Sequence, residues 1–178
     1  GSGAIQLLGT VDHVIDKYLR NSKAIESISR SNPLFIDDRL ELTSFVISPE
    51  YICSAGDVTF SIELHAKAKV CLSDLSILIY SQSGVRVAIL DFRGRGIPAT
   101  IKDFETVTIS GTITELNLVE GDYSFGVYLN SDSVSGNFFD LASLGVSPDR
   151  SNETTPTYPP AHRGILELKF RITKNRIE

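Results

Sequence analysis

From residue 40 onward, apolar and polar residues alternate with a period of two along most of this chain. In DVTFSIELHA (57–66), Val58, Phe60, Ile62 and Leu64 share one side of an extended backbone. Thr59, Ser61, Glu63 and His65 share the other, because successive side chains of a strand point to opposite faces. LELTSFVIS (40–48), DLSILIYSQ (74–82), VRVAILDF (85–92), ETVTISGTI (105–113), GDYSFGVYLN (121–130) and GILELKFRI (164–172) alternate in the same way. Gly, Pro, Asn and Asp separate these runs, and Ser83-Gly84 joins two of them as a hairpin. Seven or eight strands with no interleaved helices predict an all-β fold, an antiparallel sandwich of the Ig-like or jelly-roll kind.

The period differs at the N-terminus. In GTVDHVIDKYLRN (9–21), Val11, Val14, Ile15, Tyr18 and Leu19 recur at helical spacing, which predicts one short amphipathic helix. Thr10 caps it, Asp12 lies in its first turn, and Lys17 and Arg20 lie near its end, all as the helix dipole favours. Residues 20–33 are polar and serine-rich and read as a linker, with a short strand around Ile25–Ile28. The expected division is therefore a helix and linker over 1–33 and a sandwich over 34–178.

Two further stretches bear on the sandwich. LNLVEGDYSFGVYL (117–130) carries Leu118, Gly121 and Tyr123 in a Leu-x-x-Gly-x-Tyr pattern. It predicts a tyrosine corner, with Gly121 at positive φ and the Tyr123 hydroxyl bonded back to the preceding arch. Residues 131–163 read as a long excursion whose first half folds back onto the sandwich through Phe138, Phe139 and Leu141.

Composition narrows the chemistry. Of 178 residues, 42% are hydrophobic and 22% charged, an ordinary globular balance. The net charge is −5 and the Lys and Arg residues are scattered, which argues against a nucleic-acid partner, since phosphate binding needs clustered cations. No apolar run approaches the ~20 residues of a membrane helix, and no signal peptide is visible. The two cysteines, Cys53 and Cys71, leave one disulfide open, but reduced thiols in a cytoplasmic protein are the expectation.

Catalytic constellations are missing. There is no phosphate-binding Gly-x-x-x-x-Gly-Lys-Ser/Thr loop, and His13, His65 and His162 belong to no metal-binding spacing. SDSVSGN (131–137) lacks the acidic spacing of a calcium loop. We expect no enzyme activity, no metal and no cofactor; the 22 carboxylates are too many for any one pair to mark a glycosidase. DFRGRGIP (91–98) reads as a solvated turn, whose Arg93 and Arg95 would otherwise grip an anionic or hydroxyl-rich ligand. What remains is a binding surface. Outward parity offers His65, Tyr80, Gln82, Tyr128, Asn130, Lys169 and Arg171; of these His65, Tyr80, Gln82, Tyr128, Asn130 and Arg171 are the candidate ligand-binding residues. Gly126, two positions before Tyr128, would leave space for a ligand.

With these segments in view, the chain resembles part of a known family. Gly3, Ile5, Gly9, Val14, Ile15, Tyr18 and Leu19 in GAIQLLGTVDHVIDKYL (3–19) resemble the last turns of ATP-binding subunits of polysaccharide-exporting ABC transporters. SAGDVTFSIEL (54–64), the Gly84 hairpin and LNLVEGDYSFGVYL resemble the C-terminal domain of the Wzt type of these subunits. The resemblance implies a non-catalytic, carbohydrate-binding sandwich that recognises an export polysaccharide such as O-antigen, in some members by its modified non-reducing end. It also implies a homodimer, in some members with an edge strand exchanged, a part GILELKFRI suits. Further implied partners are a nucleotide-binding domain and a transmembrane permease, with the whole peripheral to the inner membrane. No family motif assigns sugar-contacting positions here, so the candidate residues rest on parity alone. A structural dimerisation or docking sandwich that contacts protein is the alternative.

Overall fold

The computed structural model describes residues 28–148, 159 and 162–168. The expected N-terminal helix lies outside them, as does most of the expected linker. Among the described residues the chain forms ten strands: β1 (Leu34–Phe35), β2 (Leu40–Ser48), β3 (Tyr51–Cys53), β4 (Gly56–Ala66), β5 (Val70–Ser81), β6 (Arg86–Asp91), β7 (Thr100–Ile101), β8 (Thr106–Leu116), β9 (Gly121–Ser131) and β10 (Ser135–Ser147). Two sheets result, ordered β1-β2-β4-β8 and β3-β10-β9-β5-β6, with β7 attached to β5. All pairings are antiparallel except β3 with β10.

The alternation dictates what lies between the sheets. Val58, Phe60, Ile62 and Leu64 of β4 are buried against Leu75, Ile77 and Ile79 of β5 and Phe125, Val127 and Leu129 of β9. Each fully buried side chain of this size contributes about 1.5–3 kcal/mol of transfer free energy. Phe60 stacks on Phe92, with ring centroids 5.4 Å apart, and so ties the two sheets together. The tyrosine corner forms as the sequence predicts. Gly121 has φ +152°, and the buried Tyr123 hydroxyl donates to the Val119 carbonyl at 2.8 Å. Losing that bond would leave a buried carbonyl unpaired, at a cost of about 1–3 kcal/mol.

Three elements differ from expectation. The excursion from residue 131 is not a loop in its first half: it turns at Ser131–Val134 and becomes the thirteen-residue strand β10. Its alternation is hidden because the register shifts between Phe138 and Ala142. Two extra residues enter there, so Phe138 packs inward before this bulge and Leu144 and Val146 after it, with a break in the ladder between them. Next, β5 begins at Val70 rather than 74, since Val70 and Leu72 are also buried and a second bulge resets the parity before Asp74. Finally, within the described part of the last run, backbone pairing amounts to one bridge, Leu118 to Leu166; residues 169–172 lie outside the described residues. The short strands β1, β3 and β7 carry too few residues for any period to register.

Candidate functional site

The outer face of the β3-β10-β9-β5-β6 sheet carries Tyr80, Tyr128 and Phe139 together with several polar side chains. Register places them in rows across the strands. Tyr80 of β5 lies opposite Arg86 of β6 and Ser124 of β9. One repeat further along, Leu78 lies opposite Ile89 and Gly126. Next, Ser76 lies opposite Asp91 and Tyr128, and finally Asp74 lies opposite Asn130. Rows are ~7 Å apart, two residues of antiparallel strand.

The first two rows form an apolar half. Tyr80 was expected to present its ring to a ligand; it is only 8% exposed. The β10 bulge throws Phe139 across it, edge to face, with centroids 5.6 Å apart. Arg86 covers the ring from another side, 5.4 Å from its centroid, and donates to the Tyr80 hydroxyl from Nη2 at 2.9 Å and Nε at 3.2 Å. The space expected above Gly126 is likewise taken by the chain itself. A Cβ there would lie 2.5 Å from the Phe138 carbonyl oxygen and 3.3 Å from the Phe139 Cα. The glycine thus admits the bulge rather than a ligand. The consequence is an aromatic in a new place: Phe139 stands 53% exposed over Tyr80.

The last two rows form a polar half. Tyr128 is half-buried, with its hydroxyl 3.3 Å from the Ser135 Oγ. Beside it the Arg93 guanidinium grips Asp91, Nε lying 3.0 Å from Oδ1 and 2.9 Å from Oδ2, and Nη2 also bonding Oδ2. The Arg93 backbone N–H donates to Asp91 Oδ1 at 2.9 Å. These hydrogen bonds hold the Asp91 carboxyl down to about 2, and reciprocally raise Arg93, to which the Tyr128 hydroxyl adds the smallest share. Asp74 completes the group, its Oδ2 3.9 Å from Arg93 Nε. Its Oδ1 accepts a long bond of 3.4 Å from the buried Ser76 hydroxyl.

Among the sequence-predicted residues, then, Tyr128 and Asn130 share this polar half, and Tyr80 lies beneath the apolar half. Gln82 is exposed in the β5–β6 turn, past the end of the strand. His65 does not join them: it belongs to β4 in the other sheet, where its Nδ1 lies 3.0 Å from the Thr106 Oγ1. Arg171 lies outside the described residues. Parity within a strand was legible, but not which of two sheets each strand joins, and the two outer faces point away from each other. Asp74, Asp91 and Phe139 were not among the candidate site residues, and Arg93 was weighed for ligand contact but read as part of a solvated turn. A signal existed for one pair: Asp91 and Arg93 are two apart, the spacing that puts both on one side of an extended chain.

The opposite outer face offers less. Val46, Thr59, Ser61, Ser110 and Thr112 line an open depression of about 380 Å³ above Phe60 and Gly111. Its walls are short hydroxyl-bearing side chains, without an aromatic platform or a charged group to fix a ligand. No group of His, Cys, Asp and Glu among the described residues has the arrangement to hold a metal ion. Cys53 and Cys71 are free and exposed. No helix among the described residues is long and apolar enough to cross a membrane.

Compared with solved structures, the chain is similar to the C-terminal domain of wzt, with a TM-score of 0.59 and 14% sequence identity over 97% of this chain and 100% of that one. An alkylpurine DNA glycosylase, AlkC of Pseudomonas fluorescens, bound to DNA containing an abasic-site analog, follows at TM-score 0.44 and 11% identity, covering 62% of this chain and 31% of that one. The β-glucosidase EmGH1 of Erythrobacter marinus has TM-score 0.43 and 9% identity over 61% and 15% of the two chains. At 14% identity the first likeness is one of fold, and the two looser overlaps carry no functional argument. No protein-family model and no curated protein matches the sequence.

Proposed function

We propose that this chain is a non-catalytic carbohydrate-binding domain of a polysaccharide-export ABC transporter, and that it recognises the exported glycan through the outer face of the β3-β10-β9-β5-β6 sheet. The observation that carries the reading is end-to-end correspondence of fold with the C-terminal domain of wzt, covering all of that domain. The composition of the face adds to it. Sugar recognition combines an aromatic surface with planar hydrogen-bonding groups, and here Tyr128 shares the polar half with Asp74, Asp91, Arg93 and Asn130, while Phe139 stands in the apolar half of the same face. The ligand is the non-reducing end of the polysaccharide with its modification, held on the cytoplasmic side beside a nucleotide-binding domain and a membrane permease.

The domain acts as a homodimer. Support comes from β8, which pairs with β4 on one side and is a sheet edge on the other. From Thr106 to Thr114 it carries no charge and no proline, the devices that usually block edge pairing. Its inward residues Val107, Ile109, Ile113 and Leu116 are only half-buried. Ile165 and Glu167 already pair antiparallel with Asn117 and Val119, just beyond β8. A C-terminal strand exchanged between protomers would cover those half-buried inward residues and close both edges.

The test is a titration of the domain with export polysaccharide from its source strain, intact and with the non-reducing end trimmed, followed by backbone NMR. Shifts clustered around Asp91, Arg93 and Tyr128 with intact glycan alone are expected. Equal response to both forms would replace end recognition by recognition of the repeating chain. Absence of any response at millimolar glycan would overturn the sugar-binding reading in favour of a protein-docking sandwich.

A further inference from the structure

The geometry points to a neutral sugar bearing a vicinal diol, rather than an acidic sugar, as the unit held by the polar half of the face, an inference that rests on the glycan-binding reading above. Asp74 is the key group. Its side chain is only 18% exposed, yet among the described residues a carboxylate with about four acceptor sites receives a single hydrogen bond, at 3.4 Å from Ser76. The Arg93 Nε is 3.9 Å away, beyond hydrogen-bond distance. Asp74 therefore keeps acceptor capacity unused, in register with Asn130 and one row from Tyr128.

Charge decides between ligand classes. Asp74, Asp91 and Arg93 together carry −1. Arg93 has its fork turned onto Asp91 through three contacts, so an anionic ligand would have to displace that carboxylate and leave it uncompensated. A second cation on this face among the described residues, Arg86, is occupied by Tyr80. Arg95, in the same turn as Arg93, is exposed and has the weakest influence of the groups acting on Asp91. Two adjacent sugar hydroxyls, by contrast, are donors that a carboxylate accepts side by side, and such charge-assisted bonds are the strong ones. Phe139, two rows away on the same face, would cover the ring of a neighbouring sugar.

The experiment uses the whole chain and matched tetrasaccharides: neutral gluco-, galacto- and manno-oligomers against an oligogalacturonate, each followed by amide shifts and calorimetry. At least one neutral series is expected to bind at Asp74, Asp91 and Tyr128, with the oligogalacturonate at least tenfold weaker. Asp74→Asn should weaken the neutral ligand by about tenfold or more, the worth of one charged hydrogen bond. Its melting temperature, unchanged, would show the fold intact, and Arg95→Ala should leave the preference as it was. Equal or tighter binding of the oligogalacturonate, or a neutral affinity untouched by Asp74→Asn, would overturn the inference and leave glycan binding standing. Silence from every tetrasaccharide while the intact export polysaccharide still shifts Asp91 and Tyr128 would overturn this inference alone; silence from that polysaccharide as well would overturn glycan binding itself.

Discussion

Gly126→Ala isolates the packing that shapes the candidate face. The added Cβ would meet the Phe138 carbonyl oxygen at 2.5 Å, its carbonyl carbon at 3.4 Å and the Phe139 Cα at 3.3 Å. These are backbone atoms at a bulge, so no side chain can swing aside. Overpacking costs about 1–3 kcal/mol, and rigid neighbours put this site near ~3 kcal/mol. The smaller conformational freedom of alanine in the unfolded chain offsets about 0.4–1 kcal/mol. A net loss of ~2–2.6 kcal/mol corresponds to a melting temperature roughly 4–10 °C lower for a chain of this size. Calorimetry measures it, and the near-ultraviolet circular dichroism of Tyr80 should change together with it as Phe139 is displaced. Gly136→Ala on the same strand is the control, because its Cβ would find only Phe138 ring carbons at 3.9 Å. The control should melt within about 2 °C of the parent, as ordinary surface substitutions do. Equal melting temperatures for the two variants would refute the argument that Gly126 exists to admit the bulge.

Removing residues 169–178 should turn a dimer into a monomer in sedimentation equilibrium. A parent chain that is monomeric, or a truncated one that stays dimeric, would defeat the exchanged-strand proposal. At the other end of the domain, the Arg30 guanidinium, followed by the Thr43 hydroxyl, holds the Glu63 carboxyl down to about 2, against ~4.3 for a free glutamate. The unfolded chain takes up this proton at the higher pH, so the stabilisation is complete above about 4.3 and disappears as pH falls through about 2. Arg30 is largely exposed, so solvent screening keeps the contribution small. Denaturation at a series of pH values should show Glu63→Gln flattening the acid limb in that window, and an unchanged slope would count against the pairing.

Local physics made the sandwich legible in the sequence. A period of two over β2, β4, β5, β8 and β9 needs nothing beyond each strand to declare it, and the Leu-x-x-Gly-x-Tyr corner is stated within six residues. The same rule explains why Tyr128 and Asn130 were found on a polar outward side. Where alternation breaks, legibility ends. The bulge in β10 inserts two extra residues between Phe138 and Ala142 and interrupts the ladder, so Ser135–Ser147 looked like a loop and Phe139 carried no sign of its place above Tyr80. Parity also cannot say which sheet a strand joins. That choice rests on pairings between residues such as Ser76 and Tyr128, 52 positions apart. It was therefore the tertiary structure that separated His65 from Tyr128, buried Tyr80, and brought Asp74 to Arg93 across a hairpin. The sequence by itself determined that strands would form and which sides would be wet, because both depend on neighbours along the chain. Only the fold decided which wet sides meet, because that depends on contacts the chain makes with itself at a distance.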